Sequence, residues 1–405
     1  MRFPLLPVAI CMLLSGSATH ADAERQPLVY VANFNSGTVS VIDTTSNEVV
    51  STIPVPAYPI ALAVTPKADL VLVASFDQLH GEGSVSIIET AGNKLRATLQ
   101  VGRSPSDVDV SPDGQHAYVT NFNSHNVSVI DLRSATVIGE IDVQGTPTAI
   151  AFAPDGETAY VAVNGGALFA VDVDSQEARP EVRIGYRAFD VATDPTRPLA
   201  YVVDPGPALL GSNGSIVEGD LRIVDASSLS VIDSVPLGSL PLNIAVDPGG
   251  RRAYVTNQTA RSVSVVDLSG GPIVERRIGL GSEPLGIAVQ PDSDYVYVTQ
   301  AFADKVAVID AATDTVVTEV VVGDYPMGVA VVSPEQQPET GGDGCALRAE
   351  DVSRARNLGV VFGALILLRV LRVRRTRHRA GESDGRSPRA GQPSFAKAVT
   401  NAYEA

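Results

Sequence analysis

The sequence predicts an all-β protein, a seven-bladed β-propeller of four-stranded blades. A tetrapeptide related to YVTN at residues 118–121 recurs at steps of 42, 46, 42, 41, 53 and 43 residues. Each step contains four short apolar runs separated by turn residues, and such a period is typical of one propeller blade per repeat. The seven copies start at Tyr30, Leu72, Tyr118, Tyr160, Tyr201, Tyr254 and Tyr297.

The four runs of a repeat come in a fixed order. The first is short, apolar and β-branched, as at residues 60–64. A Pro-Asp-Gly turn such as residues 112–114 follows, because Pro presets φ and Asp and Gly suit the next turn positions. The tetrapeptide strand, here called the anchor strand, comes next, and a polar loop leads to a third strand of the type VSVID. A fourth, amphipathic strand ends in Val-Gly. Both faces of VSVID are partly apolar, as blades stacked between neighbours require.

The two ends of the repeat array predict how the ring closes. The repeat array begins at Leu28 with an anchor strand that has no inner strand before it. The array ends at residues 328–332 with an inner strand that has no blade of its own. We expect the two to pair, because closure removes the free sheet edges that promote aggregation.

The repeats resemble the YVTN family of β-propellers, which are YncE-like proteins. Residues 118–121 and 254–257 match the family tetrapeptide letter for letter, and the resemblance extends from Leu28 to about Pro334. It implies that the Ile-Ala-Val strand is innermost in each blade and the Val-Gly strand outermost. Some propellers related to this family open lactone rings, so the resemblance also implies a lactonase-like hydrolase as one functional alternative.

The segments before and after the propeller predict export and attachment. Residues 1–23 have the charged start, apolar run and small-x-small site of a signal peptide, with cleavage after Ala23. The propeller occupies residues 24–334, and residues 335–345 form a Gly- and Pro-rich flexible linker. Cys345 is then the only thiol of the mature chain, which excludes intramolecular disulfides.

The C-terminal segment predicts a membrane anchor. Residues 346–379 contain a short apolar helix at 358–368 and an Arg cluster, and residues 380–405 form a disordered tail. The order of Gly-rich segment with Cys345, apolar helix and Arg cluster resembles the C-terminal sorting signals of exported bacterial proteins. The resemblance implies processing near Cys345 and a cytoplasmic stop at the Arg cluster. An amphipathic, partly disordered tail is the alternative. We expect a periplasmic or cell-surface protein attached to the membrane at its C-terminus.

The charge balance excludes one class of partner. Between Glu24 and Cys345 there are 17 basic and 40 acidic side chains. Nucleic acid is not expected to bind, because phosphate contacts need clustered Lys and Arg. We expect a monomer whose partner is an unknown small molecule or an envelope protein.

No established catalytic motif is present. The sequence contains no Cys-x-x-Cys-His for haem, no His-Glu-x-x-His for zinc, no Walker loop and no Gly-x-Ser-x-Gly elbow. His80 and His125 lie in equivalent loops of adjacent repeats and are weak candidates for a metal site. We therefore expect no cofactor and no metal.

The mouth of the central channel is the expected ligand site, since propellers often bind ligands there. The loops leading into the inner strands offer Tyr58, Arg103, Tyr186, Arg187, Glu283, Asp324 and Tyr325. The loops after the anchor strands offer Phe34, Phe76, Phe122 and Phe302. The Phe side chains either cover the blade tops as local packing or contact a ligand. Arg103 and Arg187 either hold an anionic group or pair with nearby carboxylates.

The remaining features are open or structural. Insertions at residues 78–83 and 205–220 are either tolerated surface loops or part of the binding face. The Asp or Glu that closes each third strand is expected to cap the following turn. Three functions stay open: a non-enzymatic binding scaffold, a lactonase-like hydrolase, and a redox-associated periplasmic propeller.

Overall fold

The computed structural model describes residues 27–56, 58–77, 81–179, 182–207 and 218–333. The strands in chain order are β1 (Leu28–Asn33), β2 (Thr38–Asp43), β3 (Glu48–Pro54), β4 (Pro59–Val64), β5 (Leu70–Phe76), β6 (Gly83–Glu89), β7 (Lys94–Val101), β8 (Pro105–Val110), β9 (His116–Asn121), β10 (Asn126–Asp131), β11 (Thr136–Asp142), β12 (Thr146–Phe152), β13 (Thr158–Asn164), β14 (Ala167–Asp172), β15 (Glu177–Ala178), β16 (Val182–Arg183), β17 (Asp190–Thr193), β18 (Leu199–Asp204), β19 (Glu218–Asp225), β20 (Ser230–Ser239), β21 (Pro241–Val246), β22 (Arg252–Asn257), β23 (Ser262–Asp267), β24 (Ile273–Gly279), β25 (Pro284–Val289), β26 (Tyr295–Gln300), β27 (Lys305–Asp310), β28 (Thr315–Val321) and β29 (Pro326–Val332). A single 3₁₀ turn in this described part spans Ala301–Ala303.

These strands form seven antiparallel sheets, which confirms the predicted seven-bladed propeller. From the axis outwards, blade 1 is β29, β1, β2 and β3, blade 2 is β4 to β7, and blade 3 is β8 to β11. Blade 4 is β12 to β14 with an outer strand split into β15 and β16. Blades 5, 6 and 7 are β17 to β20, β21 to β24, and β25 to β28. The seven inner strands contact one another in sequence around the ring, and the strand order within each blade is the one that the family resemblance implies.

The ring closes as the sequence predicts. β29 pairs antiparallel with β1, with Leu28 opposite Val332 and Tyr30 opposite Ala330. Blade 1 is therefore assembled from both ends of the array, and its anchor strand has a partner on each side.

The core lies between neighbouring blades, because both faces of the middle strands are apolar. β10 is buried along both faces. Tyr118 of blade 3 meets Phe152 of blade 4 edge to face, with ring centroids 4.9 Å apart. The anchor tyrosines are thus packing residues of the blade interfaces.

In blades 1 and 6, the Asn of the anchor tetrapeptide joins the blade to the one before it. The Gly323 amide, just after the outer strand of blade 7, donates to Asn33 Oδ1 of blade 1 at 3.1 Å. The Gly238 amide donates to Asn257 Oδ1 in the same way at 3.0 Å. A Cβ on Gly323 would lie 2.6 Å from Asn33 Cγ, so the glycine is required by close approach. In blade 3 the Gly102 amide instead donates to Ser128 Oγ at 3.4 Å, and Asn121 Oδ1 has no hydrogen-bond partner among the described residues.

The carboxylates that close the third strands cap turns, as predicted. Asp43 Oδ1 accepts hydrogen bonds from the amides of Thr45 and Ser46 at 2.8 and 3.0 Å. Asp310 Oδ1 accepts from the Thr313 amide at 2.8 Å, and this bond, followed by the Thr313 hydroxyl, lowers the pKa of Asp310. A ring of catalytic carboxylates is therefore not formed by these residues.

The propeller has two faces of different character. The mouth face carries the loops that enter the inner strands and the loops that follow the anchor strands. The turn face carries the Pro-Asp-Gly turns and the turns between third and fourth strands. In the part of the chain that the structure describes, no helix has the length and apolar character to cross a bilayer. The segments predicted as signal peptide (1–23), linker (335–345), apolar helix with Arg cluster (346–379) and tail (380–405) lie outside the described residues, as do most of the 205–220 insertion and residues 78–80.

Candidate functional site

Aromatic side chains from blades 7, 1 and 2 gather on the mouth face. The Phe34 ring centroid lies 5.0 Å from that of Tyr58, 6.0 Å from that of Phe76 and 5.9 Å from that of Tyr325. Tyr325 contacts Phe302 edge to face, with centroids 5.2 Å apart. These five residues, called the mouth cluster below, were all candidates from the sequence, and the structure brings them together.

The mouth cluster has a buried base and an accessible top. Phe34 and Tyr325 are 1% and 7% exposed, so they are packing residues. Tyr58 and Phe76 are half-buried, and Phe302 is 55% exposed. Phe34 therefore fits the interpretation as local packing, whereas Phe302 faces solvent and is accessible to a ligand.

The backbone at the mouth repeats a left-handed conformation. Tyr58 and Tyr325, each directly before an inner strand, have φ of 60° and 58°. Ser104 and Leu240 hold the same place in blades 3 and 6, with φ of 50° and 53°. Since polar and apolar residues adopt this geometry alike, it belongs to the repeat and is not strain stored for a ligand.

Arg103 lies beside the blade 2 part of the mouth cluster. A Cβ on Gly81, in the loop that follows Phe76, would be 3.6 Å from Arg103 Nη2. Arg103 is exposed, and among the described residues it has no ion-pair partner. Its own amide donates to Ser124 Oγ at 2.7 Å, which fixes the backbone of the loop.

Tyr186 and Arg187 are held at the mouth of blade 5 by a buried carboxylate. Asp204 occupies the place of the anchor Asn, and it accepts hydrogen bonds from the amides of Tyr186 and Arg187, both at 3.1 Å. The Tyr186 side chain is 65% exposed and that of Arg187 is half-buried. Within the described ranges, the Arg187 guanidinium has no ion-pair partner.

Glu283 and Asp324 form hydrogen bonds with different neighbours. Glu283 Oε1 accepts from Arg261 Nε and Nη2 at 2.9 and 2.5 Å. Burial raises the pKa of Glu283, but hydrogen bonds from its own amide, Arg261 and Ser282 outweigh it, so the pKa is lowered. Asp324 is exposed, and its amide donates to Ser36 Oγ at 2.8 Å. The polar mouth residues therefore do not converge on one point.

The other sequence candidates lie apart from the cluster. Phe122 is half-buried in blade 3, where its amide donates to the Ser104 carbonyl at 2.9 Å. His125 Nδ1 lies 2.9 Å from the Gly145 carbonyl oxygen, and the ring is exposed. His80, Ala23 and Cys345 lie outside the described residues. No group of three or more His, Cys, Asp or Glu within those ranges is arranged to hold a metal.

Sequence reasoning missed three carboxylates on the inner strands. Asp107 Oδ2 accepts from the Ile150 amide and Asp109 Oδ2 from the Phe152 amide of the next blade, both at 3.0 Å. Asp190 Oδ2 accepts from the Ile244 amide at 2.9 Å. Six of the seven inner strands carry Ala at the position of Asp109, so aligning the repeats would have shown it.

Burial makes these carboxyl groups hard to ionise. It raises the pKa of Asp109 and of Asp190 to about 6, although backbone hydrogen bonds act in the opposite direction. For Asp107, burial and then the charge of Asp190 raise the pKa well above its ordinary value. The inner-ring carboxyl groups Asp109 and Asp190 therefore change protonation state closer to neutral pH than an ordinary aspartate.

Glycines occupy the equivalent position on the other side of the ring. A Cβ on Gly286 would lie 2.2 Å from the Met327 carbonyl oxygen of the next blade. A Cβ on Gly328 would lie 2.7 Å from the Ile60 carbonyl oxygen. The inner strands of blades 7, 1 and 2 thus approach backbone to backbone.

Solved structures similar to this chain are propellers of low sequence identity. Hydrazine synthase from Kuenenia stuttgartiensis is 21% identical with a TM-score of 0.60, over 67% of this chain and 88% of that one. A functionally unknown protein from Desulfotomaculum acetoxidans is 20% identical with a TM-score of 0.63, over 76% and 99%. Dihydro-heme d1 dehydrogenase NirN in complex with DHE is 13% identical with a TM-score of 0.57, over 76% and 75%. At these identities the likeness shows the fold alone.

The sequence comparisons point to the same architecture. No curated protein matches the chain. Residues 251–336, which include the three outer strands of blade 6, all of blade 7 and the closing strand, match the family model of YNCE-like β-propellers. Together with the seven blades, this match confirms the resemblance of the chain to YncE-like β-propellers.

Proposed function

We propose that this protein is a non-enzymatic binding propeller that holds a small molecule on its mouth face. The ligand has an apolar or aromatic face and an acidic group. The single observation that carries the proposal is the mouth cluster, which presents accessible rings on a fixed base.

The apolar part of the ligand is expected to cover Phe302, Tyr58 and Phe76. Aromatic side chains supply large contact area at small entropic cost, and they dominate binding energy where they are already positioned. Phe34 and Tyr325 hold these rings from below, so little ordering is left for the ligand to impose.

The acidic group of the ligand is expected to meet Arg103. Cations are scarce on this propeller, and most of the other described arginines contact a carboxylate, as Arg261 contacts Glu283 at 2.5 Å. Arg103 stands beside the blade 2 loop of the cluster without such a partner in the described ranges. A guanidinium in that situation suits a carboxylate or sulfonate.

The cellular setting is part of the same proposal. The signal-like residues 1–23 and the apolar and Arg-rich residues 346–379 favour an exported protein attached to the membrane, with the propeller in the periplasm or on the cell surface. An envelope protein is the alternative partner for the mouth face.

The lactonase-like alternative finds less support at the mouth. It needs a cluster of unlike polar residues at the mouth, whereas the Glu283 carboxylate accepts two hydrogen bonds from Arg261, which is not one of the mouth candidates. For the redox alternative, the similar structures NirN and hydrazine synthase support only a shared fold.

Titration with 1-anilinonaphthalene-8-sulfonate, a fluorescent aromatic anion, tests the proposal. We expect saturable binding, and Phe302→Ala should weaken it roughly tenfold or more, because burying a Phe side chain is worth about 1.5–3 kcal/mol. Arg103→Gln should weaken this anion but leave 2-naphthalenemethanol, a neutral aromatic probe, unaffected.

Ile138→Ala is the matched control, since Ile138 is 51% exposed on the outer strand of blade 3. Binding that is not saturable, or an equal loss in the Ile138 and Phe302 variants, would show that the probe binds apolar surface in general.

A further inference from the structure

A cavity opens on the turn face between blades 3 and 4. Its volume is about 340 Å³, which is in the range of small-molecule sites. Blade 3 contributes Ser111, Asp113, His116 and Tyr118 to its wall, and blade 4 contributes a turn glycine, the segment after its third strand and two more carboxylates. The blade 4 members are Asp155, Gly156, Val173, Asp174 and Gln176.

The equivalent place between blades 5 and 6 is filled by a guanidinium of the chain itself. Arg197 Nη1 donates to the Leu268 carbonyl oxygen at 2.8 Å, and Nη2 donates to the Gly250 carbonyl oxygen at 2.9 Å. Nη2 also donates to the Tyr201 hydroxyl at 2.9 Å, and Nε donates to Asp194 Oδ2 at 2.8 Å.

Three of these four partners have a like counterpart in the cavity wall, and Ser111 stands in the place of Asp194. Tyr118 and Tyr201 are the anchor tyrosines of their blades, and Gly156 and Gly250 are the turn glycines of the following blades. Val173 and Leu268 each follow the aspartate that closes a third strand. The Val173 amide donates to the Glu157 carbonyl oxygen, and the Leu268 amide donates to the Arg251 carbonyl oxygen. The two places therefore share the same backbone hydrogen-bond pattern.

A second guanidinium fills the corresponding place between blades 6 and 7. Arg252 is the first residue of its anchor strand, as His116 is in blade 3. Arg252 Nη1 donates to the Ala311 carbonyl oxygen at 3.0 Å, and Ala311 is the counterpart of Val173. Its Nη2 pairs with Glu275 at 3.1 Å.

Between blades 3 and 4, no arginine of the described ranges donates to the corresponding acceptors. The Tyr118 hydroxyl, in a residue that is 1% exposed, reaches only the Val173 carbonyl at 3.5 Å, a distance at the limit of a hydrogen bond. In contrast, the Tyr201 hydroxyl donates to Asp194 Oδ2 at 2.6 Å.

The charge of the cavity suits a cation. Burial and the charges of Asp113 and Asp174 raise the pKa of Tyr118, so both carboxylates act on its hydroxyl. Burial raises the pKa of Asp113, but the Ser111 hydroxyl, the Gln115 amide and the charge of His116 outweigh it and keep the group ionised. His116 is the one basic side chain in the wall.

We propose that the cavity between blades 3 and 4 binds the guanidinium group of an external ligand, in the place that Arg197 and Arg252 fill at two other blade interfaces. The Val173 and Gly156 carbonyls and the Tyr118 hydroxyl accept its N–H groups, and Asp113 and Asp174 balance its charge. This site is on the face opposite the mouth cluster and does not depend on the function proposed there.

Calorimetric titration of the full-length protein with two probes tests this inference. The probes are ethylguanidinium and the peptide acetyl-Gly-Arg-Gly-amide, each compared with the ammonium analogue, ethylammonium or acetyl-Gly-Lys-Gly-amide. We expect at least roughly tenfold preference for guanidinium, because only that group matches several acceptors in one plane. Binding of both guanidinium probes indicates that a free small molecule suffices, and binding of the peptide alone identifies an arginine side chain of a polypeptide partner.

His116→Arg locates the site. The new arginine stands where Arg252 stands in blade 6, so it should fill the cavity and reduce guanidinium binding more than roughly tenfold. Thr158→Arg, the same change at the first residue of the blade 4 anchor strand, is the control and should leave binding unchanged. Asp113→Asn with Asp174→Asn should weaken binding while the melting temperature stays close to that of the parent. Equal affinity for ammonium, no binding of either guanidinium probe, or binding retained in His116→Arg would overturn the inference.

Discussion

Two arcs of the inner ring solve the same packing problem in opposite ways. In the tight arc, blades 7, 1 and 2, Gly286 and Gly328 let neighbouring backbones approach. In the polar arc, blades 3 to 6, the same position carries Asp107, Ala149, Asp190 and Asn243, and the two carboxylates accept hydrogen bonds from amides of the next blade. Blades of one repeat family are therefore not interchangeable, because each interface fixes its own spacing.

The arcs also differ in the surface above them. The mouth cluster stands over the tight arc, with Tyr325 and Phe34 on blade 1. In the tight arc the residues directly before the inner strands are Glu283, Tyr325 and Tyr58, and the Phe34 ring contacts both tyrosines. In the polar arc the residues at that position are not aromatic: Ser104, Thr146, Arg187 and Leu240.

Of the changes that test this comparison, removal of the closing strand should have the largest effect on stability. Deletion of residues 328–332 takes away most of β29, leaves one edge of β1 unpaired and breaks the tight arc. We expect a steep fall in melting temperature, measured by circular dichroism. Deletion of residues 211–215, within the long insertion, is the length-matched control, and wild-type stability of the first variant would contradict ring closure through β29.

The substitution Gly286→Ala should have the next largest effect on stability. Its Cβ would lie 2.2 Å from the Met327 carbonyl oxygen, so the backbones must separate. We expect a loss of about 3 kcal/mol in the free energy of unfolding by chemical denaturation, the upper end for overpacking. Gly270→Ala, where nothing lies within 4 Å of the new Cβ, should stay within about 0.5 kcal/mol. Equal losses of unfolding free energy in the two variants would show that the inner strands of blades 7 and 1 are not closely packed at Gly286.

The polar arc should show a smaller, pH-dependent effect. The pKa of Asp109 and of Asp190 is about 6 in the folded protein, against an ordinary value of 3.8. A raised pKa favours the native state below the ordinary value, and this stabilisation is lost as pH rises through about 6. Acidification from pH about 7 to about 5 should therefore stabilise the protein, on the order of 1 kcal/mol per group, because about one pH unit of that window lies below the raised pKa.

Asp109→Asn and Asp190→Asn should flatten that rise, because an amide does not titrate. The amide oxygen keeps one of the two backbone hydrogen bonds that the carboxylate accepts, as Asp109 accepts from Val110 and Phe152 and Asp190 accepts from Val191 and Ile244. Thermal melts across this pH range decide the matter, with Asp310→Asn as a control whose pKa is lowered, not raised. An unchanged slope in both inner-ring variants would refute the assignment.

The regular part of the structure was predictable because it repeats. The period, the Pro-Asp-Gly turns, the capping aspartates such as Asp43 and the closure by residues 328–332 all follow from patterns present in several copies. A signal that recurs seven times is hard to misread.

The individual part was less predictable, because it depends on contacts between residues far apart in the chain. Phe34 and Tyr325 were both candidates, but only ring closure shows that they touch. Arg197 and Arg252 differ in sequence position, so nothing in the repeats shows that both fill blade interfaces on the turn face. The single Asp109 among alanines was visible but was not weighed as a signal.

The pairing of Leu28 with Val332 has a mechanical consequence. Both ends of the described array leave from the same end of one antiparallel strand pair, so tension between them loads the hydrogen bonds one after another. Such a pair unzips, whereas strands pulled from opposite ends would share the load in shear. The β1–β29 strand pair that closes the ring therefore resists thermal opening, because all of its hydrogen bonds must break together. It resists a pull on its two ends less well, because the hydrogen bonds then break one at a time.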